Sequence, residues 1–309
     1  MPNSIGLYKL TNQDPSFLSS CSPSTLFKRF LSIFYQTSSV MKKFLFVLLI
    51  ALLTLTQFSC KNDHELIPSK TFVLIAGAWQ GAWAWDEIKG QLEKAGQSVI
   101  VVELPAHGDD STSPAQVSID VYRDKVIAAM GKAKRPVTLV GHSMAGMVIS
   151  AVAEKIPSQI EKLIYIAAYV PANGQSLLEL ATSDQQSLLP PALHPSEDGL
   201  TLDVAHDQIT NIFVQDGSTR VKQLLLRKFR VEPAIPFTNQ VMLTTGNFGS
   251  VNKYYIKTLQ DHVIGPELQN RMIAAASITQ VYSLDSGHSP SLSQPQAVTA
   301  LLLKIASNG

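Results

Sequence analysis

A serine lies where its hydroxyl could act as a nucleophile, in the stretch PVTLVGHSMAG that runs from Pro136 to Gly146. Five residues typical of a buried strand lead into Gly-His-Ser-Met-Ala-Gly, and a helical pattern follows at once. A strand, a tight turn and a helix in this order raise the serine above a sheet, and only small residues fit around such a turn. Gly141, Ala145 and Gly146 are small, although Ala145 takes the place of the glycine that usually ends G-x-S-x-G. The stretch therefore predicts that Ser143 is a nucleophile.

A serine hydroxyl reacts well only when a base takes its proton, and histidine is the usual base. Of the seven histidines, His288 stands in the loop DSGHSPS between the last predicted strand and the last predicted helix, where it could reach over the strand ends. His142 is next to the serine but is expected to pack into the sheet, and His107 in PAHGDD is expected to form a turn. We therefore predict that His288 is the base.

The base needs a carboxylate that orients it, and proteins built this way carry the three groups in the order Ser, Asp or Glu, His. Asp261 follows the predicted strand KYYIKTL in the loop QDHVIGPEL, at the carboxyl end of that strand. Asp285 is nearer to His288 in sequence and is the competing candidate, but it is expected to cap its own loop. We predict that Asp261 orients the base.

Attack of a serine on a carbonyl group creates a negative oxygen, which backbone N–H groups must bind. One donor should be the residue after the nucleophile, Met144, and the second should come from the loop AGAW after the first predicted strand. Ala78 is the predicted second donor, because the small residues of that loop let its backbone approach a substrate. In the same loop, Gly77 is expected to leave open space above Ser143 and so to shape the substrate pocket.

Short apolar runs alternate with helical patterns along most of the chain, which predicts a mostly parallel sheet covered by helices on both faces. The predicted strands are 72–76, 98–104, 137–140, 162–168, 253–259 and 279–284. The predicted helices between and after them are 85–95, 119–130, 144–154, 266–275 and 294–306. Over about 171–236 the alternation stops, and weak helical pieces lie among Pro, Gln, Ser and Leu. We predict that this segment is a cap over the carboxyl ends of the strands.

The composition excludes several classes of function. The 309 residues, 45% of them hydrophobic, suffice for one large α/β domain. A net charge of +1 shows no excess of basic residues of the kind that binds nucleic acid. The two cysteines, Cys21 and Cys60, cannot form a disulfide framework, and no CxxC or HExxH pattern predicts a metal site. The stretch GAWQGAW lacks the G-x-G-x-x-G spacing of a dinucleotide loop, so no cofactor is predicted.

The N-terminal region is similar to an export signal. Met41 and two lysines open an apolar stretch, FLFVLLIALLTLTQF, that ends directly before Ser59-Cys60. A cysteine at this place resembles a bacterial lipoprotein signal, in which Cys60 would carry the lipid and be the membrane contact. An uncleaved anchor and ordinary secretion into the periplasm or medium are the alternatives. We predict a non-native extension over 1–40, a signal over 41–60, a tether over 61–69 and the folded domain over 70–309.

Five motifs, in order and spacing, resemble those of the α/β-hydrolase fold. They are FVLIAGAWQGAWAW, LPAHGDD, VGHSMAG, LQDHVIGPELQ and LDSGHSPSLSQP, and the similarity covers roughly 70–306. They look most like the plant methylesterase and hydroxynitrile-lyase branch and its bacterial relatives. The resemblance implies a helical cap inserted after the sixth-strand region of that fold, the catalytic residues Ser143, His288 and Asp261, and the oxyanion donors Ala78 and Met144.

Two positions separate the chain from the lyases of that branch. The lyases have threonine where Gly77 stands and lysine where Ser289 stands, and that lysine serves the departing cyanide. The family also commonly has histidine where Ala76 and Gln80 stand, which bears on the hydrogen bonds around the site. The resemblance therefore implies a serine carboxylesterase acting on a small ester, such as a methyl or aryl ester. A carbon–carbon lyase acting on cyanohydrins and a slow-turnover ligand-binding protein remain the alternatives.

Overall fold

The computed structural model describes residues 69–131, 133 and 136–308, all within the compact unit Ile67–Gly309. The predicted extension, signal and Cys60 lie outside the described residues, as does nearly all of the predicted tether. None of the described helices is both long enough and apolar enough to cross a bilayer.

The described elements alternate between strands and helices before and after a more irregular middle segment. In chain order the strands are β1 (Thr71–Ile75), β2 (Ser98–Val102), β3 (Val137–His142), β4 (Ile160–Ile166), β5 (Gln175–Ser176), β6 (Leu193–Pro195), β7 (Thr201–Val204), β8 (Glu232–Pro233), β9 (Gln240–Val241), β10 (Asn252–Thr258) and β11 (Gln280–Leu284). The α-helices are α1 (Asp86–Lys94), α2 (Ile119–Met130), α3 (Ala145–Lys155), α4 (Leu177–Thr182), α5 (Ile209–Phe213), α6 (Thr219–Lys228), α7 (Ile235–Thr238), α8 (Pro266–Ala275), α9 (Pro290–Ser293) and α10 (Pro295–Ser307).

Six parallel strands form the main sheet in the order β11-β10-β4-β3-β1-β2. The central strands are near-continuous apolar runs because both faces of a parallel sheet are covered. Side chains of a strand point alternately to its two faces. Val73 and Ile75 of β1 therefore join one core cluster, which includes residues of α2, α3 and α8, while Phe72 and Leu74 join another with residues of α1 and α10. The predicted doubly covered parallel sheet is confirmed.

The segment between β4 and β10 forms the cap. It contains the helices α4 to α7 and two small antiparallel sheets, β5-β9 and β6-β7-β8. The cap is thus a mixture of helices and strands rather than purely helical, and it continues beyond the predicted end at 236. Its strands are two to four residues long, which is too short for an alternating pattern to be visible in the sequence.

The two ends of the cap are joined to each other. Gln175 of β5 pairs with Val241 of β9, and the N–H of Gly174 donates to the carbonyl of Val241 at 2.9 Å. Next to β5, Ser176 caps the N-terminus of α4 and exchanges hydrogen bonds with Glu179. The cap therefore leaves the sheet and returns to it through one small paired strip.

Candidate active site

Ser143 sits at the sharp turn between β3 and α3, with a φ of +55°. This left-handed backbone is strained for a residue with a side chain, and surrounding contacts must hold it. The Ser143 carbonyl accepts hydrogen bonds from the N–H groups of Gly146 at 3.0 Å and Tyr169 at 3.1 Å. A Cβ on Gly146 would lie 2.1 Å from the carbonyl oxygen of Tyr169, and one on Gly141 would lie 2.8 Å from that of Ala145. The turn therefore requires the small residues that the sequence places there.

The structure brings Ser143, His288 and Asp261 together from three loops at the carboxyl ends of β3, β11 and β10. Ser143 Oγ lies 2.9 Å from His288 Nε2, and His288 Nδ1 lies 3.0 Å from each carboxylate oxygen of Asp261. Because a carboxylate accepts, Nδ1 carries the proton and Nε2 is left to accept one from the serine. All three side chains are buried. The arrangement can move a proton from Ser143 to His288.

Asp261 is prepared to stay ionised although it is buried. Burial alone would raise the pKa of this carboxyl group, but His288 and several hydrogen bonds hold the pKa below its usual value. The donors include the backbone N–H groups of Val263 at 2.7 Å and Ile264 at 2.9 Å, and the hydroxyl of Thr258 at 2.7 Å. An ionised Asp261 stabilises a positive charge on the neighbouring imidazole.

Asp285, the competing acid from the sequence, does not contact His288. Its side chain is exposed, and Oδ1 accepts a hydrogen bond from Gln260 Nε2 at 3.1 Å. Its carbonyl accepts another from Gln294 Nε2 at 2.8 Å. Asp285 therefore ties together the loops around it, and Asp261 alone of the two acids reaches the imidazole.

The two predicted oxyanion donors come from two different loops, at the carboxyl ends of β3 and β1. Met144 directly precedes the first residue of α3, and Ala78 lies in the loop after β1. Among the hydrogen bonds of the described residues, neither backbone N–H has a protein acceptor. A helix N-terminus carries a partial positive charge, so a negative oxygen at Met144 would be stabilised there. Both groups remain available to a ligand oxygen.

Gly77 does not leave open space above Ser143, and that prediction is wrong. A Cβ at Gly77 would lie 2.6 Å from Ser143 Cβ and 3.0 Å from the carbonyl oxygen of His142. The reason is the register of the sheet: Ile75 of β1 is opposite Gly141 of β3, so the loop after β1 runs directly over the serine turn. Gly77 is a site of close backbone approach rather than of spare volume.

His142 is buried, as predicted, and it also supports the loop of the base. Its Nε2 donates to the backbone carbonyl of His288 at 2.8 Å, and the two rings lie 4.8 Å apart. Burial, followed by the nearby His288, lowers the pKa of His142 to about 3. His142 is therefore neutral near neutral pH and acts as a fixed hydrogen-bond donor.

The loop after β1 is also held to the cap and to the base loop. Trp79 packs its ring against Phe213, Phe229 and Phe237 of the cap, with ring centroids 5.4 to 6.4 Å apart. Phe213 in turn lies 6.0 Å from the ring of His288. No motif in the sequence indicated this aromatic cluster, because its three phenylalanines come from weakly patterned segments of the cap.

Two polar contacts near the site were also not predicted from the sequence. Gln80 Nε2 donates to Ser289 Oγ at 2.9 Å, which links the loop after β1 to the loop of the base. His107 lies in a turn, as predicted, but its buried Nε2 is also 3.0 Å from Glu232 Oε2 of the cap. Sequence reasoning had singled out neither Glu232 nor its contact with His107.

No cluster of His, Cys, Asp or Glu that could hold a metal ion occurs within the described residues.

Known proteins resemble this chain in sequence. The sequence profile described as "Alpha/beta hydrolase family" matches residues 72–301. Putative methylesterase 13 of Arabidopsis thaliana is 29% identical over 257 residues, which are 79% of this chain and 58% of that protein. Putative methylesterase 11 of the same plant is 32% identical over 247 residues, which are 76% of this chain and 63% of that protein. The chain thus spans less than two thirds of the length of these relatives.

Solved structures share the fold. The crystal structure of polyneuridine aldehyde esterase superposes with a TM-score of 0.70 at 23% sequence identity, covering 77% of this chain and 99% of that one. Together with the parallel sheet and the matched profile, this likeness confirms the fold that the sequence motifs predicted.

Proposed function

Because the chain belongs to the alpha/beta hydrolase family, we propose that it is a serine esterase whose nucleophile is Ser143. In this proposal His288 takes the hydroxyl proton, and Asp261 orients the imidazole. The observation that carries the proposal is the unbroken series of contacts from Ser143 Oγ through His288 to Asp261, at 2.9 and 3.0 Å in a buried site.

The reaction has two halves. As Ser143 Oγ bonds to the ester carbon, its proton passes to His288 Nε2 and the carbonyl oxygen becomes negative, facing the N–H groups of Ala78 and Met144. The bond between the carbon and the alkoxy oxygen then breaks, and His288 returns the proton to the departing alcohol. Water attacks the acyl-enzyme by the same route, which releases the acid and restores the serine.

We propose a small methyl or aryl ester as the substrate. The relatives named methylesterases support the methyl ester. Phe213, which lies 6.0 Å from the His288 ring and packs on Trp79, supports an apolar or aromatic group on the substrate, because it puts an aromatic ring beside the base. The identity of the acid within this class depends on the cap.

A cyanohydrin lyase would need a group that stabilises cyanide as it leaves. Ser289 directly follows the base, carries no charge and accepts a hydrogen bond from Gln80. Among the described residues, no contact beside His288 offers a positive charge of that kind. The esterase therefore accounts better for the site than the lyase does.

The test measures hydrolysis of p-nitrophenyl and methyl esters by the wild type and by Ser143→Ala. Wild-type hydrolysis that the variant lacks, together with labelling of Ser143 by a fluorophosphonate, is the expected result. Labelling without turnover would favour the ligand-binding alternative. Release of cyanide from mandelonitrile that depends on Ser143, without ester hydrolysis, would favour the lyase.

We also propose that the protein is exported and anchored through a lipid on Cys60. The support is the sequence alone: a basic start, an apolar stretch and a cysteine directly after it. Labelled fatty acid fed to expressing bacteria should enter the wild type and be absent from Cys60→Ser, with Cys21→Ser as the matched control. Label that persists in Cys60→Ser would reject the lipid anchor.

A further inference from the structure

A buried acidic side chain of the cap reaches the loop that carries Ala78. Glu232 lies on β8 and is only 1% exposed, and its Oε2 accepts a hydrogen bond of 2.7 Å from the backbone N–H of Trp79. Trp79 directly follows Ala78 and has a φ of +59°. A tryptophan keeps this left-handed backbone only when its surroundings hold it. Glu232 is therefore one of the groups that fix the shape of this loop.

Other cap residues grip the same tryptophan. The carbonyl oxygen of Trp79 accepts a hydrogen bond from the N–H of Arg230 at 3.3 Å, and the indole Nε1 donates to the carbonyl of Leu202 at 3.0 Å. Both peptide groups of Trp79 are thus bonded to the cap, one through Glu232 and one through Arg230. The first of these is the peptide group that joins Ala78 to Trp79.

The side chain of His107 lies against the buried carboxylate group of Glu232. His107 Nδ1 lies 3.0 Å from the carbonyl oxygen of Pro105, which can only accept, so Nδ1 carries a proton. His107 Nε2 lies 3.0 Å from Glu232 Oε2. A second proton, on Nε2, would place a positive charge against this carboxylate group.

The charge of Glu232 depends on few partners. Its second oxygen, Oε1, is buried and has no hydrogen-bond partner among the described residues. A buried carboxylate that loses its counter-charge is strongly destabilised. A proton on His107 Nε2 would supply that counter-charge to Glu232.

The other groups around His107 are acidic or neutral, apart from one arginine. Glu103 from the end of β2 adds negative charge, and the Tyr122 ring of α2 packs edge-on at 5.4 Å. The guanidinium of Arg230 binds the carbonyls of Gly108 and Asp110, in the loop that carries His107. Burial lowers the pKa of His107, but Glu232 and the other acid outweigh it, so the pKa lies above its usual value.

We propose that Glu232 is a positioning residue of the oxyanion site: from the cap it holds the Trp79 amide, and through it the Ala78 amide, in the orientation that binds the developing negative oxygen. His107 keeps Glu232 in place through its second proton. Loss of that proton at alkaline pH releases the loop and lowers the rate of the chemical step. This inference rests on the proposed esterase function.

The experiment compares four proteins: the wild type, Glu232→Gln, His107→Gln, and Glu197→Gln as the matched change at an exposed glutamate of the cap. For each, kcat and KM for an ester are measured from pH 6 to 10. The affinity for a trifluoromethyl ketone, which forms the tetrahedral oxyanion on serine, is measured at pH 7. Thermal unfolding identifies variants that do not fold.

Glu232→Gln should lower kcat about 10- to 100-fold and weaken the binding of the trifluoromethyl ketone by a similar factor. Its KM should stay within about twofold of the wild-type value. Oxyanion donors act mainly in the transition state, so their disturbance lowers kcat and leaves KM nearly unchanged. A Glu232–His107 pair with only a structural role would not separate kcat from KM in this way. In His107→Gln the alkaline fall of kcat should disappear, because an amide does not titrate. Glu197→Gln should match the wild type.

Three results would overturn the inference. They are wild-type kcat and ketone affinity in a folded Glu232→Gln, an effect on KM alone, or an alkaline fall that is unchanged in His107→Gln. If Glu232→Gln does not fold, the pH profile of His107→Gln decides. An active, Ser143-dependent wild type combined with any of these results leaves the esterase intact, whereas a wild type without hydrolysis removes both proposals.

Discussion

The floor of the site and its cap are built on opposite principles. On the floor, Ser143, Asp261 and His288 each follow a strand of the same parallel sheet, and backbone contacts around tight turns fix them. On the cap side, Glu232 and His107 come from distant parts of the chain, and the imidazole meets the carboxylate group in a buried contact of 3.0 Å. The floor depends on steric fit between backbone atoms, whereas in our proposal the cap side depends on a proton on His107.

This difference indicates how the proposed esterase function is divided between the floor and the cap side. Groups that form or break bonds at the ester lie where the sheet determines their positions to within a hydrogen bond. Groups that adjust the site from outside lie on a segment that the sheet does not constrain. Changes to the floor should therefore abolish chemistry or folding, while changes to the cap side should reduce the rate in a way that depends on pH.

The largest effect should come from the floor. Ser143→Ala and His288→Ala should each lower kcat by roughly 10⁴ to 10⁶, and the double variant should lose little more, because the two residues act as a unit. Steady-state kinetics with a p-nitrophenyl ester measure this. If the losses in kcat multiply in the double variant, the two residues act independently. The floor would then not work as a single unit, and its contrast with the cap side would not hold.

The next effect concerns the acid. Asp261→Asn should lower kcat by roughly 10³ to 10⁴, because the amide no longer favours the imidazole tautomer that accepts the serine proton. Asp285→Asn is the matched control on the exposed side of the same region and should stay near the wild-type rate. A greater loss in Asp285→Asn would reverse the assignment of the acid.

Steric fit on the floor can be tested without touching a reacting group. Gly146→Ala should destabilise the protein by about 3 kcal/mol or more, since its Cβ would meet the Tyr169 carbonyl at 2.1 Å. Gly90→Ala, at an exposed position of helix α1 with nothing within 4 Å of the added Cβ, should stabilise it by about 0.5 to 1 kcal/mol. Urea denaturation measures both. Equal effects would mean that the serine turn tolerates more volume than its contacts imply.

A smaller effect separates two buried histidines whose pKa values shift in opposite directions, His142 on the floor and His107 beside the cap. His142 has a pKa of about 3 when folded, so between that value and its unfolded value the unfolded chain binds more protons. Stability from this group therefore falls as the pH falls, by about 2 kcal/mol from pH 7 to pH 5.

The measurement is the free energy of unfolding of His142→Gln at both pH values, with exposed His194→Gln as the control. The first variant should lose less stability on acidification than the wild type does, and the control should follow the wild type. The contribution of His107 has the opposite sign. Its raised pKa gives stability that is fully present below its unfolded pKa and is lost as the pH rises through the folded one.

The sequence predicted the floor well because its signals are local. The helices Ile119–Met130 and Pro266–Ala275 begin and end where the periodicity places them, and all six predicted strands overlap strands of the main sheet. The strand beginning at Ser98 ends at Val102, two residues early, because the chain then turns and the N–H of His107 bonds to the carbonyl of Leu104. Loops that follow strands of one parallel sheet meet at one edge, so candidate residues in them converge.

The remainder could not be predicted because it depends on contacts between distant segments. The crowding at Gly77 follows from the register of β1 against β3, which no single strand reveals. Glu232 stands in a weakly patterned segment, and nothing near it in sequence indicates that His107 and Trp79 will surround its carboxylate. Burial of a charge becomes visible only when its partner is in place.

Because β5 and β9 pair at Gln175 and Val241, the cap between them could be replaced as one unit. Its ends are already closed on each other, so a substitute of different length would add little loop-closure entropy and would leave the register of the main sheet unchanged. Such a chimaera would, however, carry away Glu232 and leave His107 and Trp79 behind. A transplanted cap would need an acid at that position, so recombination between related chains should preserve the three residues as a set.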